Sequence, residues 1–402
     1  LEHDNNSKKV AIIGAGLAGC ALVYELSQHK DFSITIFDKN SDFASEASGN
    51  FAGILRPSLT NDNNFSEQFH TLGYEILNDY IKKNQADIEI CSKGVLHVLS
   101  NPKEALRYSK IFANRQISSD LAVLLDSKES SKLLGKKIDY DSIYYPNALS
   151  LIPKSLCKSW LNSSKAKLKL DSELKTIEKT QNQKWLLQFQ DYQEEFDIVI
   201  FAGAYELFSQ IDYLKNISVY PSQGQLTVIK ESIDTDFTIM DKGYLIPHYL
   251  NNLQVIGATF RENSDTSGEV RDCDHQENLN HVKEIFPEES IAMESILDAR
   301  VSTRCVTSDH LPLVGKLVDY DLFREMFFKP LSKGYPKNKM PNVIYEEGLY
   351  LSSGFGSKGI SSSLLSAKII SNLIRQDQKN ISDKLLEALS PQRFLVRTFK
   401  KG

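Results

Sequence analysis

The sequence predicts an α/β chain with a Rossmann-like domain, joined to a second domain built on an antiparallel sheet. Three observations predict it. Near the N-terminus, Val10-Ala11-Ile12-Ile13 is a short apolar run, as in a strand buried on both faces of a parallel sheet. Gly14, Gly16 and Gly19 follow at G-x-G-x-x-G spacing, and Leu17, Cys20, Ala21 and Tyr24 then recur at helical period. Ser33 to Phe37 reads as a second strand ending in Asp38. The second observation lies at the far end. A strand over Gly348–Ser353 runs into Gly354-Phe355-Gly356-Ser357-Lys358-Gly359 and a helix over Ile360–Ile374. Third, Val219 to Phe260 reads as successive strands (Gln225–Lys230, Gly243–Pro247, Gln254–Ala258), the pattern of an antiparallel sheet.

The first of these segments points to a dinucleotide. One glycine makes the tight turn, one lets backbone approach a pyrophosphate, and one brings helix and strand close. The helix N-terminus offers N–H groups and a positive dipole end to the phosphates. Asp38 stands roughly twenty residues past the glycines, where a ribose-binding acid is expected. A plain glycine-rich turn leaves that placement unaccounted for.

Composition bounds the rest. At 402 residues there is room for two domains. A net charge of −5 excludes a wholesale basic nucleic-acid binder but not a local basic patch. The cysteines, Cys20, Cys91, Cys157, Cys273 and Cys305, are scattered without C-x-x-C and read as reduced intracellular thiols. Cys273, His275 and His281 fit no standard metal spacing and read as a solvated loop, so no metal is expected. There is no apolar run long enough to span a bilayer and no signal-peptide pattern, so a cytoplasmic location away from the membrane is expected. The opening Leu1-Glu2-His3 reads as an added sequence or the cut end of a longer polypeptide.

Along the chain, residues 44–53 crowd small side chains (Ala44, Ser45, Ala47, Ser48, Gly49, Ala52, Gly53), which lets backbone approach a flat ligand; the alternative is a flexible loop. Phe65–Lys83 is an amphipathic helix, with His70 read as structural. Residues 88–145 mix short strands and helices, and Leu151–Leu161 is helical by period. The strand Phe196–Phe201 runs into Ala202-Gly203-Ala204, a second place for close approach to a nucleotide. Asp272–Phe286 is helical. Met326–Met340, rich in Pro, Gly and Lys, reads as a surface loop or insertion. The last residues carry only positive charge (Arg393, Arg397, Lys400, Lys401).

Two glycine-rich corners bracketing a β-rich middle resemble FAD amine oxidases of the D-amino-acid oxidase and glycine oxidase type. More narrowly, ASGNFAGILRPSL at 47–59, GYLIPH at 243–248, IGATF at 256–260, TRCVTSDHLPLVG at 303–315 and GFGSKGISSSLLSA at 354–367 resemble the FAD-dependent half of MnmC, the bifunctional tRNA 5-methylaminomethyl-2-thiouridine biosynthesis family. The resemblance runs from about Lys8 to Phe399. It implies a discontinuous FAD-binding domain over residues 7–90, 146–211 and 306–402, with the substrate domain over 91–145 and 212–305. FAD is expected to be non-covalent, held by Gly14, Gly16, Gly19, Asp38, Ser48, Asn50, Gly53, Gly203, Gly354, Gly356, Ser357 and Gly359.

The activity it implies is oxidative removal of the carboxymethyl group from 5-carboxymethylaminomethyluridine at the tRNA wobble position, leaving 5-aminomethyluridine and glyoxylate. In the family a methyltransferase half precedes this one. The sequence has no room for it before Val10, so a stand-alone version or a separated C-terminal portion is expected. The alternative is a glycine- or sarcosine-type oxidase acting on a free small amine. A third reading is a flavin-bearing tRNA-binding module without turnover.

Arg304 matches the family's substrate-binding arginine in R-x-x-T-x-D-x-x-P, where a guanidinium grips a carboxylate bidentately; the alternative is a structural salt bridge. Tyr244 matches a substrate-side tyrosine, or else is a strand residue facing the core. Lys358 stands where the family has Arg, keeping a cation beside the flavin. Lys329, Lys333, Lys337 and Lys339 with the cationic tail are candidates for tRNA phosphates, or else solvated surface.

Overall fold

The strand Lys8–Ile13 lies inside a six-stranded sheet. Its order is Leu313–Lys316, Leu349–Ser353, Ile198–Phe201, Lys8–Ile13, Phe32–Phe37, Lys167–Lys169. Val10 faces Ile198 on one side and Ile34 on the other, both parallel. Only Leu313–Lys316 runs antiparallel, against Leu349–Ser353. A strand flanked this way is covered on both faces, and Val10–Ile13 is apolar and buried throughout. The structure, a computed structural model, describes residues 7–261, 267–289, 291–377 and 381–401. Leu1-Glu2-His3 lies outside the described residues.

The chain divides into two units. The first comprises Leu1–Ser45, Cys157–Pro221 and Arg304–Gly402. Beside the six-stranded sheet it carries a three-stranded meander of Thr176–Lys179, Trp185–Gln188 and Gln193–Phe196. Its core gathers Trp185, Phe189, Phe196 and Phe201, with Phe37 stacked on Phe189 at 4.6 Å. The helices Leu17–Ser27 and Gly359–Arg375 pack on each other. Small buried residues on both (Ala18, Gly19, Ala21; Ser362, Ser363, Ser366, Ala367) permit that close approach.

The helix Tyr320–Ser332 overlaps the segment expected to be a loop. Phe323, Phe327 and Leu331, at helical spacing, pack with Leu395 and Phe399, and this burial overrides the break that Pro330 signals.

The second unit comprises Glu46–Leu156 and Ser222–Thr303. Its sheet runs in the order Ile296–Val306, Tyr220–Lys230, Leu253–Gly257, Tyr244–Tyr249, Thr238–Met240, Ile90–Val98, Ser142–Leu151, Gly53–Leu55, with Val123–Leu125 paired to Ser142–Leu151. From Tyr220–Lys230 to Thr238–Met240 the neighbours are antiparallel, as they are from Ile90–Val98 to Gly53–Leu55. Thr238–Met240 and Ile90–Val98 pair in parallel.

Three expectations change here. Ser142–Leu151 is a ten-residue strand, so the following helix starts at Pro153 rather than Leu151. Residues 46–90 and 146–156, expected with the first domain, pack in the second unit, because Gly53–Leu55 pairs with Leu149–Leu151 and Ile90–Val98 with the same long strand. Cys273, His275 and His281 lie on the helix Asp272–Ile285 rather than in a solvated loop. His275 is buried with Nδ1 2.8 Å from Thr227 Oγ1, and burial lowers its pKa. All five cysteines are free. Among the described residues no helix is long and apolar enough to cross a membrane.

Candidate functional site

The first glycine corner is closed on itself. Gly14 has φ +113°, a conformation L side chains avoid, and a Cβ on it would lie 2.8 Å from Gly203 N. A Cβ on Gly19 would lie 1.9 Å from the Gly14 carbonyl oxygen, so the helix start presses directly on the turn. Gly16 is the extended N-cap of the helix Leu17–Ser27 and carries no side chain with which to cap it. A helix N-terminus bordered by glycine is suited to phosphate.

Asp38 shapes this loop. Its Oδ2 accepts a hydrogen bond from Ala15 N at 2.7 Å, and its Oδ1 accepts from Asn40 N at 2.9 Å. The acid expected on a ribose therefore also holds the glycine turn to the end of the second strand.

The second corner stands beside the first. Gly354 and Gly356 have φ of +71° and +55°. Gly356 N donates to the Cys305 carbonyl at 2.9 Å, and Ser353 Oγ donates to the Gly203 carbonyl at 2.6 Å. A Cβ on Gly359 would sit 3.5 Å from Leu17 Cδ1. Gly203 thus touches both corners, and the two helices that follow them meet at their starts. Within the first unit the fold gathers Gly14, Gly16, Gly19, Asp38, Gly203, Gly354, Gly356, Ser357 and Gly359 from three separated stretches of chain. Ser357 is exposed, and Lys358 is the N-cap residue of Gly359–Arg375 without a side-chain capping bond.

Arg304 lies near the end of the strand Ile296–Val306 and is only 8 % exposed. Its neighbour Cys305 is buried against the second corner. Burial pushes the Cys305 thiol up to about 12, against the opposing pull of hydrogen bonds with Ser353 and the Gly354 N–H, so it is no nucleophile at neutral pH. Thr307 Oγ1 donates to the Leu311 carbonyl at 2.7 Å, closing the turn that follows.

Asp309, in the same motif, is an anchor that the sequence reading missed. Arg393 Nε and Nη2 each donate to its carboxylate at 3.0 Å, and Arg397 Nη1 does so at 2.6 Å. Burial opposes ionisation of Asp309, but the Arg393 guanidinium, the Leu311 N–H and Arg397 outweigh it and hold the carboxyl well below its usual range. Two of the tail's four cations, Arg393 and Arg397, are thereby paired with Asp309. No local pattern in the sequence signals this pairing, because the partners are 84 and 88 residues apart.

The remaining site residues belong to the second unit. Ser48 lies in the short turn Ala47–Gly49, Asn50 Oδ1 accepts from Ser302 Oγ at 2.9 Å, and Gly53 opens a strand paired at Leu151. Tyr244 pairs opposite Gly257 and shares an apolar cluster with Phe51, Ala52 and Ile54. That cluster draws the small-residue segment and the tyrosine together within this unit.

The family described as FAD dependent oxidoreductase (DAO) matches residues 9–373. The chain belongs to this family. Among curated relatives, the tRNA 5-methylaminomethyl-2-thiouridine biosynthesis bifunctional protein MnmC of Hydrogenovibrio crunogenus (strain DSM 25203 / XCL-2) is 27% identical, over 98% of this chain and 60% of its own. MnmC of Campylobacter jejuni subsp. doylei is 28% identical over the same shares. The chain spans about three fifths of the length of these relatives. Of solved structures, glycine oxidase from Geobacillus kaustophilus superposes with TM-score 0.73 at 18% identity, covering 96% of this chain and 99% of that one. L-α-glycerophosphate oxidase from Mycoplasma pneumoniae, with FAD bound, gives 0.71 at 16%, covering 93% and 97%. These show the DAO fold.

The chain is thus an FAD-dependent oxidoreductase, and its residues fit the cofactor. Gly356 faces open space, with the nearest atom to a Cβ at 3.9 Å, so backbone there is free to meet a ligand. The starts of Leu17–Ser27 and Gly359–Arg375 meet where Gly359 comes against Leu17, and a helix N-terminus suits a phosphate group.

Proposed function

We propose that this chain removes the carboxymethyl group from 5-carboxymethylaminomethyluridine in tRNA. The observation that carries the reading is the match to MnmC over 98% of the chain. FAD, when bound at the paired corners, supplies the two-electron acceptor for the C–H bond between amine and carboxylate. Water then splits the resulting imine into the primary amine and glyoxylate. Gly14, Gly16, Gly19, Asp38, Gly203, Gly354, Gly356, Ser357 and Gly359 would hold the nucleotide. Lys358 supplies positive charge at the start of the second helix.

Arg304 binds the carboxylate. A guanidinium makes two parallel hydrogen bonds to it, which fixes the CH₂ in one orientation. A buried arginine suits the task, since low surrounding dielectric strengthens the pair. The amine product is a substrate for methyl transfer by another catalytic unit, in keeping with the two fifths of its relatives that this chain does not cover.

Mass analysis of nucleosides from carboxymethylaminomethyl-tRNA incubated with the FAD-loaded protein tests the reading. Aminomethyluridine and glyoxylate are expected in equal amounts. Oxidation of free glycine or sarcosine in preference to the tRNA would sink it. Under anaerobic conditions Arg304→Ala should slow flavin reduction by about ten- to a hundredfold while FAD stays bound, and Arg304→Lys should recover little of that loss.

A further inference from the structure

The two basic segments of the first unit differ in what their charges do. In the tail, Arg393 and Arg397 are committed to Asp309. Between Leu322 and Tyr345, by contrast, stand five cations (Arg324, Lys329, Lys333, Lys337, Lys339) and one acid, Glu325. Lys337 pairs with Glu387, whereas Lys329, Lys333 and Lys339 are exposed and form no ion pair among the described residues. Lys329 and Lys333 are one helical turn apart, so they share a face at the end of Tyr320–Ser332.

Large aromatics are left exposed among these charges. Phe328 and Tyr335 are each 40% exposed, although a buried face (Phe323, Phe327, Leu331) was available on the same helix. Phe328 is fixed edge-on to Phe399 at 5.5 Å, and Arg324 stands 5.9 Å from its ring. Tyr335 is held in the turn by a hydrogen bond from its N–H to the Pro330 carbonyl at 2.9 Å. Exposed cations outside ion pairs are available to a polyanion, and flat rings held outward among them offer a stacking surface for bases. Leu322, Ile344 and Tyr345 are exposed on the same stretch, but a protein partner would be expected to meet fewer lysines.

We propose that Arg324–Lys339 is a grip for RNA, with Lys329, Lys333 and Lys339 on phosphates and Phe328 and Tyr335 against unpaired bases. This rests on the reading of tRNA as substrate and names the surface that holds it. The tail contributes structure to this surface, through Phe399, rather than its arginines' charge.

Fluorescence anisotropy of labelled tRNA and of a single-stranded ribo-oligonucleotide, over a salt series, tests the surface. The triple variant Lys329→Gln/Lys333→Gln/Lys339→Gln should lower the slope of log affinity against log salt by roughly 2, at about 0.7 to 0.9 per phosphate contact. Tyr335→Ala should weaken binding of the oligonucleotide at least about fivefold and leave the slope alone. A charge-matched control, Lys103→Gln/Lys110→Gln/Lys128→Gln, should bind as the parent does. All are exposed positions, and flavin content checks that each variant is folded. Parent-like affinity and slope in the first triple, or an equal loss in the control, overturns the grip. So does a concentration-dependent dimer, seen by sedimentation, that the first triple abolishes. If the parent demodifies tRNA while the triple binds it unchanged, the surface fails and the oxidation stands. If the parent leaves tRNA nucleosides untouched, the oxidation itself fails.

Discussion

The two glycine corners look alike in sequence but are glycine-rich for different reasons. At 14–19 the chain crowds itself: a methyl on Gly19 would occupy the Gly14 carbonyl, and one on Gly14 would meet Gly203. At 354–359 the glycines answer first to backbone conformation, with Gly354 and Gly356 in the left-handed region, Gly354 also close to Thr307, and Gly359 only in ordinary contact with Leu17. The second corner takes its rigidity from outside, from Cys305, Thr307 and the turn that Asp309 ties to Arg393. So a glycine motif can mark packing within the protein at one site and room for a ligand at another, and only the neighbours tell them apart.

Substitutions can separate the two. Gly19→Ala should have the largest effect, costing about 4 kcal/mol or more because backbone itself must move. Little folded, yellow protein should be recovered, and normal yield and melting would show that the helix start can shift freely. Asp309→Asn should come next, at about 3 kcal/mol, since it leaves the buried Arg393 guanidinium without its counter-charge. This difference depends on pH. The Asp309 carboxyl is held below its ordinary value of 3.8. Its stabilisation is therefore complete above that pH and drains away as pH falls through the depressed value. Thermal melts of parent and variant should converge in strong acid and stay apart at neutrality; a gap unaffected by pH would mean the pair contributes by shape alone.

Gly354→Ala should cost about 2 kcal/mol, through its φ and the contact at 3.0 Å with Thr307. Gly359→Ala should be smallest for the apoprotein, within about 0.5 kcal/mol, yet FAD retention should fall. Unchanged retention on titration with FAD would mean that the second corner keeps its distance from the cofactor.

What could be read in the sequence follows from how local each signal is. The first corner declares itself because strand, glycines, helix and second strand lie within one short stretch. Its contact with Gly203, and Gly203 with Ser353, depends on strand order, which no periodicity records. The strand Ser142–Leu151 was missed because Pro146 interrupts its alternation. The register shift between Lys93 and Val95 places that proline at an irregularity, where no ladder donor is needed. Pro330 misled in the same way, and there a buried aromatic face prevailed over it. Asp309 was visible in a motif, but its arginine partners lie at the end of the chain, and nothing in the motif points there.

The first unit's assembly from three stretches also bears on how the protein is made. Lys8–Ile13 is translated well before one neighbour, Ile198–Phe201, which itself pairs with the still later Leu349–Ser353. The sheet therefore cannot close until Leu349–Ser353 has been translated, and until then Ile198–Phe201 has only Lys8–Ile13 to pair with. Glu46–Leu156, holding both Ile90–Val98 and its partner Ser142–Leu151, has early pairings of its own to make meanwhile. A cut shortly before Arg393 would deprive the first unit of the ion pair that ties its last helix to Asp309.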